Sequence, residues 1–153
     1  MDREEWKPVV GFEKYYEVSN FGRVRSFDRR VRVGHGAHRI MRGKILRLNL
    51  NRRGYLRCNV GVRQRFKTRE VHRLVAISFI PKRHGRRFVN HKNGVKTDNR
   101  VGNLEWVTKH EDNQHAQDTG LNKSRFSMKQ KMAARKNLLL TQSHIKHNEK
   151  YVA

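Results

Sequence analysis

A histidine and three oxygen-bearing polar side chains lie close together in the second half of the chain: Asn90, His91, Asn103 and Asp112. A neutral imidazole can accept a proton from water, because its pKa lies near neutral pH. Carboxylate and amide oxygens are the ligands that hard divalent cations prefer. Cys58 is the only cysteine, which excludes an internal disulfide and a cysteine-based zinc site. These residue types suit a hydrolytic site that combines a base with a hard cation.

The residues around this group predict two strands, a loop and a helix. The apolar segments Phe88–His91 and Leu104–Val107 have the length and composition of short strands, and the residues between them are rich in turn formers. Thr108 and Glu111 have the Thr-x-x-Glu spacing of a capping box, so a helix should begin at Thr108 and end just before Gly120. The histidine would then end the first strand, and the aspartate would lie in the first turn of the helix.

A shorter helix should precede this unit. Val71, Leu74, Val75 and Phe79 recur at helical spacing between residues 68 and 80, and Pro81 would end the element.

The chain is strongly basic: 36 Lys and Arg residues face 13 Asp and Glu residues, a net charge of +23 over 153 residues. This charge density predicts an anionic polymer as partner. The longest apolar run, residues 74–80, is shorter than the roughly 18 residues of a membrane span, and the acidic N-terminus does not resemble a signal peptide. The sequence therefore predicts a soluble, intracellular protein without a membrane partner, organised as one ordinary domain or as a small core with appendages.

The region before these elements predicts antiparallel strands. Residues 6–26 form short apolar segments linked by glycine-containing turns. Apolar and basic residues alternate in Val31–Val33, Ile45–Leu48 and Leu56–Val60, as expected of half-buried strands whose outer face is basic.

Two groups of motifs resemble a known family. The first group comprises Val71-His72-Arg73-Leu74-Val75-Ala76, Val89-Asn90-His91-Lys92-Asn93-Gly94, Lys96-Thr97-Asp98-Asn99-Arg100, Asn103-Leu104-Glu105-Trp106-Val107-Thr108 and Glu111-Asp112-Asn113-Gln114-His115-Ala116. At this spacing it resembles an HNH endonuclease of the intron- and phage-encoded homing type. The second group, Gly11-Phe12-Glu13, Tyr16-Glu17-Val18-Ser19-Asn20 and Gly22-Arg23-Val24, resembles a small modular element often found ahead of HNH cores.

The resemblance implies a fold, an activity and a role for each of the four polar residues. The fold would be α+β, with an N-terminal antiparallel basic β-sheet, a ββα-metal (HNH or His-Me finger) catalytic core and a helical basic C-terminal tail. His91 would be the general base of phosphodiester hydrolysis. Asn90 and Asp112 would hold one divalent metal ion, Mg²⁺ or Mn²⁺. Asn103 would brace the loop and orient the base.

The chain departs from the commonest family pattern at the metal ligands. Some relatives carry the carboxylate at the position of Asn90 and the amide at the position of Asp112, and these chemical types are exchanged here. Asn113, the next residue along the helix, could match the metal-ligand position of the family instead of Asp112. The exchange keeps open a second interpretation, a nucleic-acid-binding module with a decayed site, such as an intron-splicing helper or a regulator. A third, a nucleic-acid condensing protein, explains the charge but not the four residues at family spacing.

Binding of double-stranded DNA is assigned to the basic regions on both sides of the core. The expected division is a β-rich DNA-binding region over 1–69, the HNH core over 70–119, and a basic tail over 120–153 that contains a helix near 127–140. The candidate DNA contacts are Arg47, Asn49, Arg57, Asn59, Arg63, Arg65, Lys67, Arg69, Arg73, Lys123 and Arg125. An antiparallel ribbon fits the major groove, where Arg reads guanine and Asn reads adenine, although any one of these residues could instead contact only phosphate.

A single catalytic unit cuts one strand per encounter, so the expected protein is a monomer that nicks DNA. Its expected location is the cytoplasm of a bacterial or phage-infected cell, in association with the nucleoid.

Overall fold

Ten short strands and two α-helices form the part of the chain that the computed structural model describes, residues 3–62 and 65–119. The strands are β1 (Trp6–Pro8), β2 (Tyr16–Ser19), β3 (Val24–Ser26), β4 (Arg29–Arg32), β5 (His38–Met41), β6 (Asn49–Leu50), β7 (Leu56–Val62), β8 (Arg65–Glu70), β9 (Phe88–His91) and β10 (Leu104–Val107). The helices are α1 (Val71–Phe79) and α2 (Lys109–Asp118). This mixture confirms the predicted α+β class.

The strands before α1 form three small antiparallel sheets rather than one. Their orders are β1-β2-β3, β4-β5 and β6-β7-β8, and β9 and β10 make a fourth sheet. The alternation predicted for β7 is confirmed, because Leu56, Cys58 and Val60 are buried while Arg57 and Asn59 are exposed. The outer face of β7 is therefore polar and basic.

The strand predicted over residues 45–48 does not form. Ile45 makes one isolated bridge to Arg25, and the Leu46 backbone nitrogen donates to the Val24 carbonyl at 2.7 Å. In the described chain the segment then passes from the edge of β3 to β6 without continuing this ladder. Its apolar alternation reflects the burial of Leu48 against the core rather than strand pairing.

One hydrophobic core joins the N-terminal sheets to the ββα unit. It includes Val18 from β2, Leu56 from β7, Val75 from α1 and Trp106 from β10. Helix α1 packs against strands of both parts, because its buried face meets β1, β2, β7 and β8 as well as β9 and β10. The predicted helix is confirmed, and it ends two residues before Pro81.

Strands β9 and β10 and helix α2 form the ββα unit at the predicted positions. In the antiparallel pair His91 lies opposite Leu104, and Asn90 lies opposite Glu105. The capping box is present: the Thr108 hydroxyl accepts from the Glu111 nitrogen at 3.2 Å, while the Glu111 carboxylate accepts from the Thr108 nitrogen at 2.8 Å. The cap fixes where the helix begins relative to the strands.

The tail predicted over 120–153, with its helix near 127–140, lies outside the described residues, as do Arg63, Lys123 and Arg125. Within the described ranges, neither α-helix has the length and apolar character needed to span a membrane.

Candidate active site

His91 is the last residue of β9, and its ring is almost completely buried, with 4 % of its surface exposed. Its Nε2 lies 3.1 Å from the Asn99 side-chain oxygen. Nδ1 is therefore the ring nitrogen left for proton transfer. Burial lowers the pKa of His91, and this effect outweighs the opposing influence of Asn99 and Asp98. The ring is consequently neutral at pH 7, the state in which it can act as a base.

Two aromatic rings border His91. The ring centre of His72 lies 5.2 Å away, and that of Tyr55 lies 5.9 Å away. Burial, together with the neighbouring His91 and Arg73, lowers the pKa of His72 to about 3. The Glu70 carboxylate is 3.7 Å from the His72 ring, but a neutral ring forms no ion pair with it at pH 7. The structure thus places His72, a residue of the first quoted motif, beside the candidate base.

Asn103 joins the two ends of the loop that follows His91. Its amide nitrogen donates to the Asp98 carbonyl at 2.8 Å and to the Asn93 side-chain oxygen at 3.0 Å. Its own side-chain oxygen accepts from the Asn93 backbone nitrogen at 3.1 Å, and its backbone carbonyl accepts from the Lys92 nitrogen at 2.9 Å. Asn103 thus braces the loop next to the candidate base, while the ring of His91 itself is bonded to Asn99.

Asn90 faces a carboxylate across the strand pair. Its amide nitrogen donates to Glu105 Oε1 at 3.1 Å. Because the amide nitrogen of Asn90 faces Glu105, the side-chain carbonyl oxygen points to the opposite side of the amide group. That oxygen is the atom of Asn90 that could bind a cation.

Asp112 lies in the first turn of α2 and acts electrostatically on residues around His91. Its charge contributes, after burial, to the raised pKa of Tyr55, and it opposes the lowering of the pKa of Lys96 by burial. The Lys96 ammonium lies 4.9 Å from the centre of the Tyr55 ring. Lys109, one turn earlier on the same helix, is 3.6 Å from the Asp112 carboxylate. The structure therefore brings Asp112 into the same neighbourhood as Tyr55 and His91.

The donor set fits the hard metal ion that the resemblance implies. Asp112 offers a carboxylate and Asn90 an amide oxygen, and Mg²⁺ is commonly held by one or two such groups together with substrate phosphates and water. Among the residues that the structure describes, no cluster of three or more His, Cys, Asp or Glu side chains could hold a metal. A metal held by Asn90 and Asp112 would therefore have an open coordination sphere rather than a closed zinc cage. Asn113, the neighbouring alternative, is exposed on α2.

The predicted DNA contacts on the third sheet divide between its two faces. Directly paired residues of antiparallel strands project from the same face. Asn49 pairs with Arg57, so both share the exposed face of β7 with Asn59. The Asn59 side chain accepts a hydrogen bond from Thr68 at 2.8 Å on this face.

Three further predicted contacts, Arg65, Lys67 and Arg69, lie on the other face. They pair with the core-facing residues of β7, yet they are exposed because β8 is an edge strand. Period-two alternation within β7 could not predict this division, since it depends on the register between β7 and β8.

A groove of about 590 Å³ brings some of these residues together. Arg57, Arg69 and Arg73 border it where β8 meets α1. Arg47 is exposed in the irregular segment before β6 and does not line this groove.

Sequence reasoning assigned no individual role to four residues near the site: Tyr55, Lys96, Asn99 and Glu105. Three of them lie within the quoted motifs, which was the available signal, but their types alone did not indicate a partner. Tyr55 lies between β6 and β7, far from His91 along the chain, and only the tertiary fold brings the two rings together.

Two family models match the chain. One, described as the NUMOD4 motif, matches residues 4–61, and the other, described as HNH endonuclease, matches residues 69–114. The solved structure "DNA binding and cleavage by the HNH homing endonuclease I-HmuI" is 34% identical with a TM-score of 0.61, and the match covers 87% of this chain and 68% of that one.

Curated relatives give a similar result. DNA endonuclease I-HmuI of Bacillus phage SP01 is 38% identical over 104 residues, which is 68% of this chain and 52% of the relative. The uncharacterized HNH endonuclease L247 of Acanthamoeba polyphaga mimivirus is 41% identical over 123 residues, which is 77% of this chain and 27% of the relative. The chain thus spans between about a quarter and about half of the length of these relatives.

Proposed function

We propose that this chain, which belongs to the HNH endonuclease family and carries an N-terminal NUMOD4 element, is a DNA endonuclease that hydrolyses phosphodiester bonds with one divalent metal ion. The observation that carries the proposal is the placement of a neutral, buried His91 at the end of β9, with Nδ1 left for proton transfer. Asn90 precedes it, and Asp112 lies in the same neighbourhood. This arrangement is the one that metal-assisted hydrolysis requires.

Each residue has a distinct role in the proposed mechanism. His91 accepts the proton of the attacking water at Nδ1. Asn90 and Asp112 would hold Mg²⁺ or Mn²⁺, which supplies positive charge for the phosphate and the leaving 3′ oxygen. Asn103 keeps the loop in place through the bonds described above. The expected products are a 5′ phosphate and a 3′ hydroxyl.

The basic surfaces would hold the substrate, double-stranded DNA. We assign this binding to residues 1–69 and to the tail, and cutting to residues 70–119. Exposed Asn49, Arg57 and Asn59 share one sheet face, whose residue types suit base edges in the major groove. A single catalytic unit acts on one strand at a time, so we propose a monomer that nicks.

The exchanged ligand types also support a second candidate, a nucleic-acid-binding module without activity. The contact between Asn90 and Glu105 gives an independent reason for the exchange. A carboxylate at position 90 would face the Glu105 carboxylate directly, whereas an amide donates a hydrogen bond to it. The amide at position 90 is therefore compatible with an active site.

Conversion of supercoiled plasmid to nicked circle tests the proposed function. We expect nicking in the presence of Mg²⁺ or Mn²⁺ and complete loss of nicking in excess EDTA, with recovery when the metal is restored. Nicking that persists in EDTA would contradict the metal role. No nicking with either metal, on DNA that the protein demonstrably binds, would favour the inactive module.

DNA affinity should depend steeply on salt. Each phosphate that the protein neutralises releases counterions, so the logarithm of the association constant should fall with the logarithm of salt concentration by about 0.9 per contact. Arg57→Ala should reduce this slope by about one contact, as measured by fluorescence anisotropy in metal-free buffer. His91→Ala is the matched comparison, and its slope should equal that of the wild type. A lowered affinity with an unchanged slope would mean that Arg57 contacts a base edge rather than phosphate, and unchanged affinity and slope would remove this residue from the DNA-binding surface.

A further inference from the structure

Asn99 is the side chain bonded to the ring of the candidate base. It is 3 % exposed, and its Oδ1 lies 3.1 Å from His91 Nε2. An amide oxygen can only accept a hydrogen bond, so this contact requires the ring proton to be on Nε2. Nδ1 then carries the lone pair that proton transfer needs. If the amide faced the ring with its nitrogen instead, the ring proton would move to Nδ1 and the base would be lost.

Asn99 is in turn held by the N-terminal element. Gly22 has a φ of +81°, and a Cβ built on it would lie 2.7 Å from the Cβ of Asn99. The Asn20 carbonyl accepts a hydrogen bond at 2.8 Å from the nitrogen of Val101, two residues beyond Asn99. The turn between β2 and β3 therefore lies directly against the backbone and side chain of Asn99, and only glycine permits so close an approach.

We propose that Asn99 is a positioning residue that fixes the reactive tautomer of His91, and that the Asn20–Gly22 turn of the N-terminal element holds Asn99 in place. The inference deepens the proposed function and rests on it. It gives the N-terminal element a part in cleavage that is separate from DNA binding. The chain of contacts runs from Gly22 through Asn99 to His91.

The tautomer can be measured without metal or DNA. Nitrogen-15 NMR of the histidine rings, recorded at alkaline pH where the ring is neutral, distinguishes a protonated Nε2 from a protonated Nδ1. The His91 signals are assigned by their absence in His91→Ala. We expect Nε2 to carry the proton in the wild type, and a proton on Nδ1 would overturn the inference.

Two variants of Asn99 separate a positioning role from a merely structural one. Asn99→Leu has a similar volume but no acceptor, and it should give mixed tautomers and a kcat lowered by about 10- to 100-fold at unchanged DNA affinity. Asn99→Asp keeps an acceptor oxygen, and it removes no existing bond because the Asn99 amide nitrogen has no partner among the described residues. It should keep the Nε2 tautomer and a kcat within about tenfold of the wild type. Equal tautomers and equal kcat in Asn99→Leu and the wild type would overturn the inference.

The role of the turn is tested by a pair of glycine variants. Gly22→Ala and Gly11→Ala place a side chain on nearly the same backbone conformation, since the φ angles are +81° and +80°. Only at Gly22 does the new methyl group meet Asn99, because nothing lies within 4 Å of a Cβ at Gly11. We expect Gly22→Ala, and not Gly11→Ala, to shift the His91 ring signals and to lower kcat at unchanged DNA affinity. Equal responses of the two variants would overturn the coupling to the N-terminal element.

These outcomes are distinguishable from a failure of the proposed function. If His91→Ala cleaves DNA normally, the proposed function fails. If His91→Ala is inactive but the wild-type ring is protonated on Nδ1, the positioning inference fails together with Nδ1 as the accepting atom, while His91 remains the proposed base. Should Asn99→Leu not fold, the wild-type spectrum and the glycine pair still decide the question.

Discussion

His91→Ala is expected to nick plasmid at a rate lowered by about 10²–10⁴-fold, the usual contribution of a general base. In the proposed mechanism the residue supplies the proton acceptor, and it is buried and uncharged, so DNA affinity should stay within a few-fold of the wild type. Single-turnover rates at saturating DNA measure the chemical step separately from binding. Added imidazole should restore part of the rate, because the small cavity left by the side chain can admit a free base.

The matched control is His84→Ala, which removes an exposed histidine from the loop between α1 and β9. It should nick at the wild-type rate. A thermal melt of each variant checks that the loss of the buried ring has not unfolded the protein. Undiminished cleavage by folded His91→Ala would remove the central claim.

Asp112→Ala is expected to be the second most damaging change, with metal-dependent nicking lowered by about two orders of magnitude or more, since it removes the carboxylate that we propose as the principal metal ligand. Titration of Mn²⁺ against the nicking rate should show an apparent metal affinity weakened in the variant. DNA affinity in metal-free buffer should not decrease, because the mutation removes a negative charge from a basic protein.

Asp118→Ala is the corresponding control, because it removes a carboxylate from the last turn of the same helix. Among the residues that the structure describes, its side chain accepts a hydrogen bond from Gln114 at 2.8 Å. If the two aspartate variants nick equally well, Asp112 is not a ligand. If neither the variants nor the wild type respond to metal, the exchanged pair marks a decayed site.

The ββα unit was predictable because its signals are local. The capping box at Thr108 and Glu111 involves residues of one helical turn, and it placed the start of α2 correctly. The strands β9 and β10 were likewise bounded by turn residues close in sequence. Such elements require no knowledge of the rest of the fold.

Features that depend on distant partners were not predictable. The alternation of apolar and basic residues at 45–48 correctly indicated burial. It could not show whether a neighbouring strand pairs with this segment. The proposed role of Asn99 depends on both the loop conformation and a turn roughly eighty residues earlier. The division of basic residues between two sheet faces requires the register of β7 against β8. In each case the missing information is tertiary rather than local.

Helix α1 packs against strands of both segments matched by the family models, so the two segments are not independent modules. The buried side of this helix contacts strands from both parts, with Val71, Val75 and Ala76 fully enclosed between them. Separation of the segments would expose this apolar stripe on one fragment and the strand surface that covers it on the other, at a cost of about 25 cal/mol for each Å² uncovered. A chimaera that exchanges one segment for that of a relative must therefore also carry over, or redesign, the matching face of α1. For engineering, the unit of exchange is the pair of segments together, since α1 lies in the second segment and packs against the first.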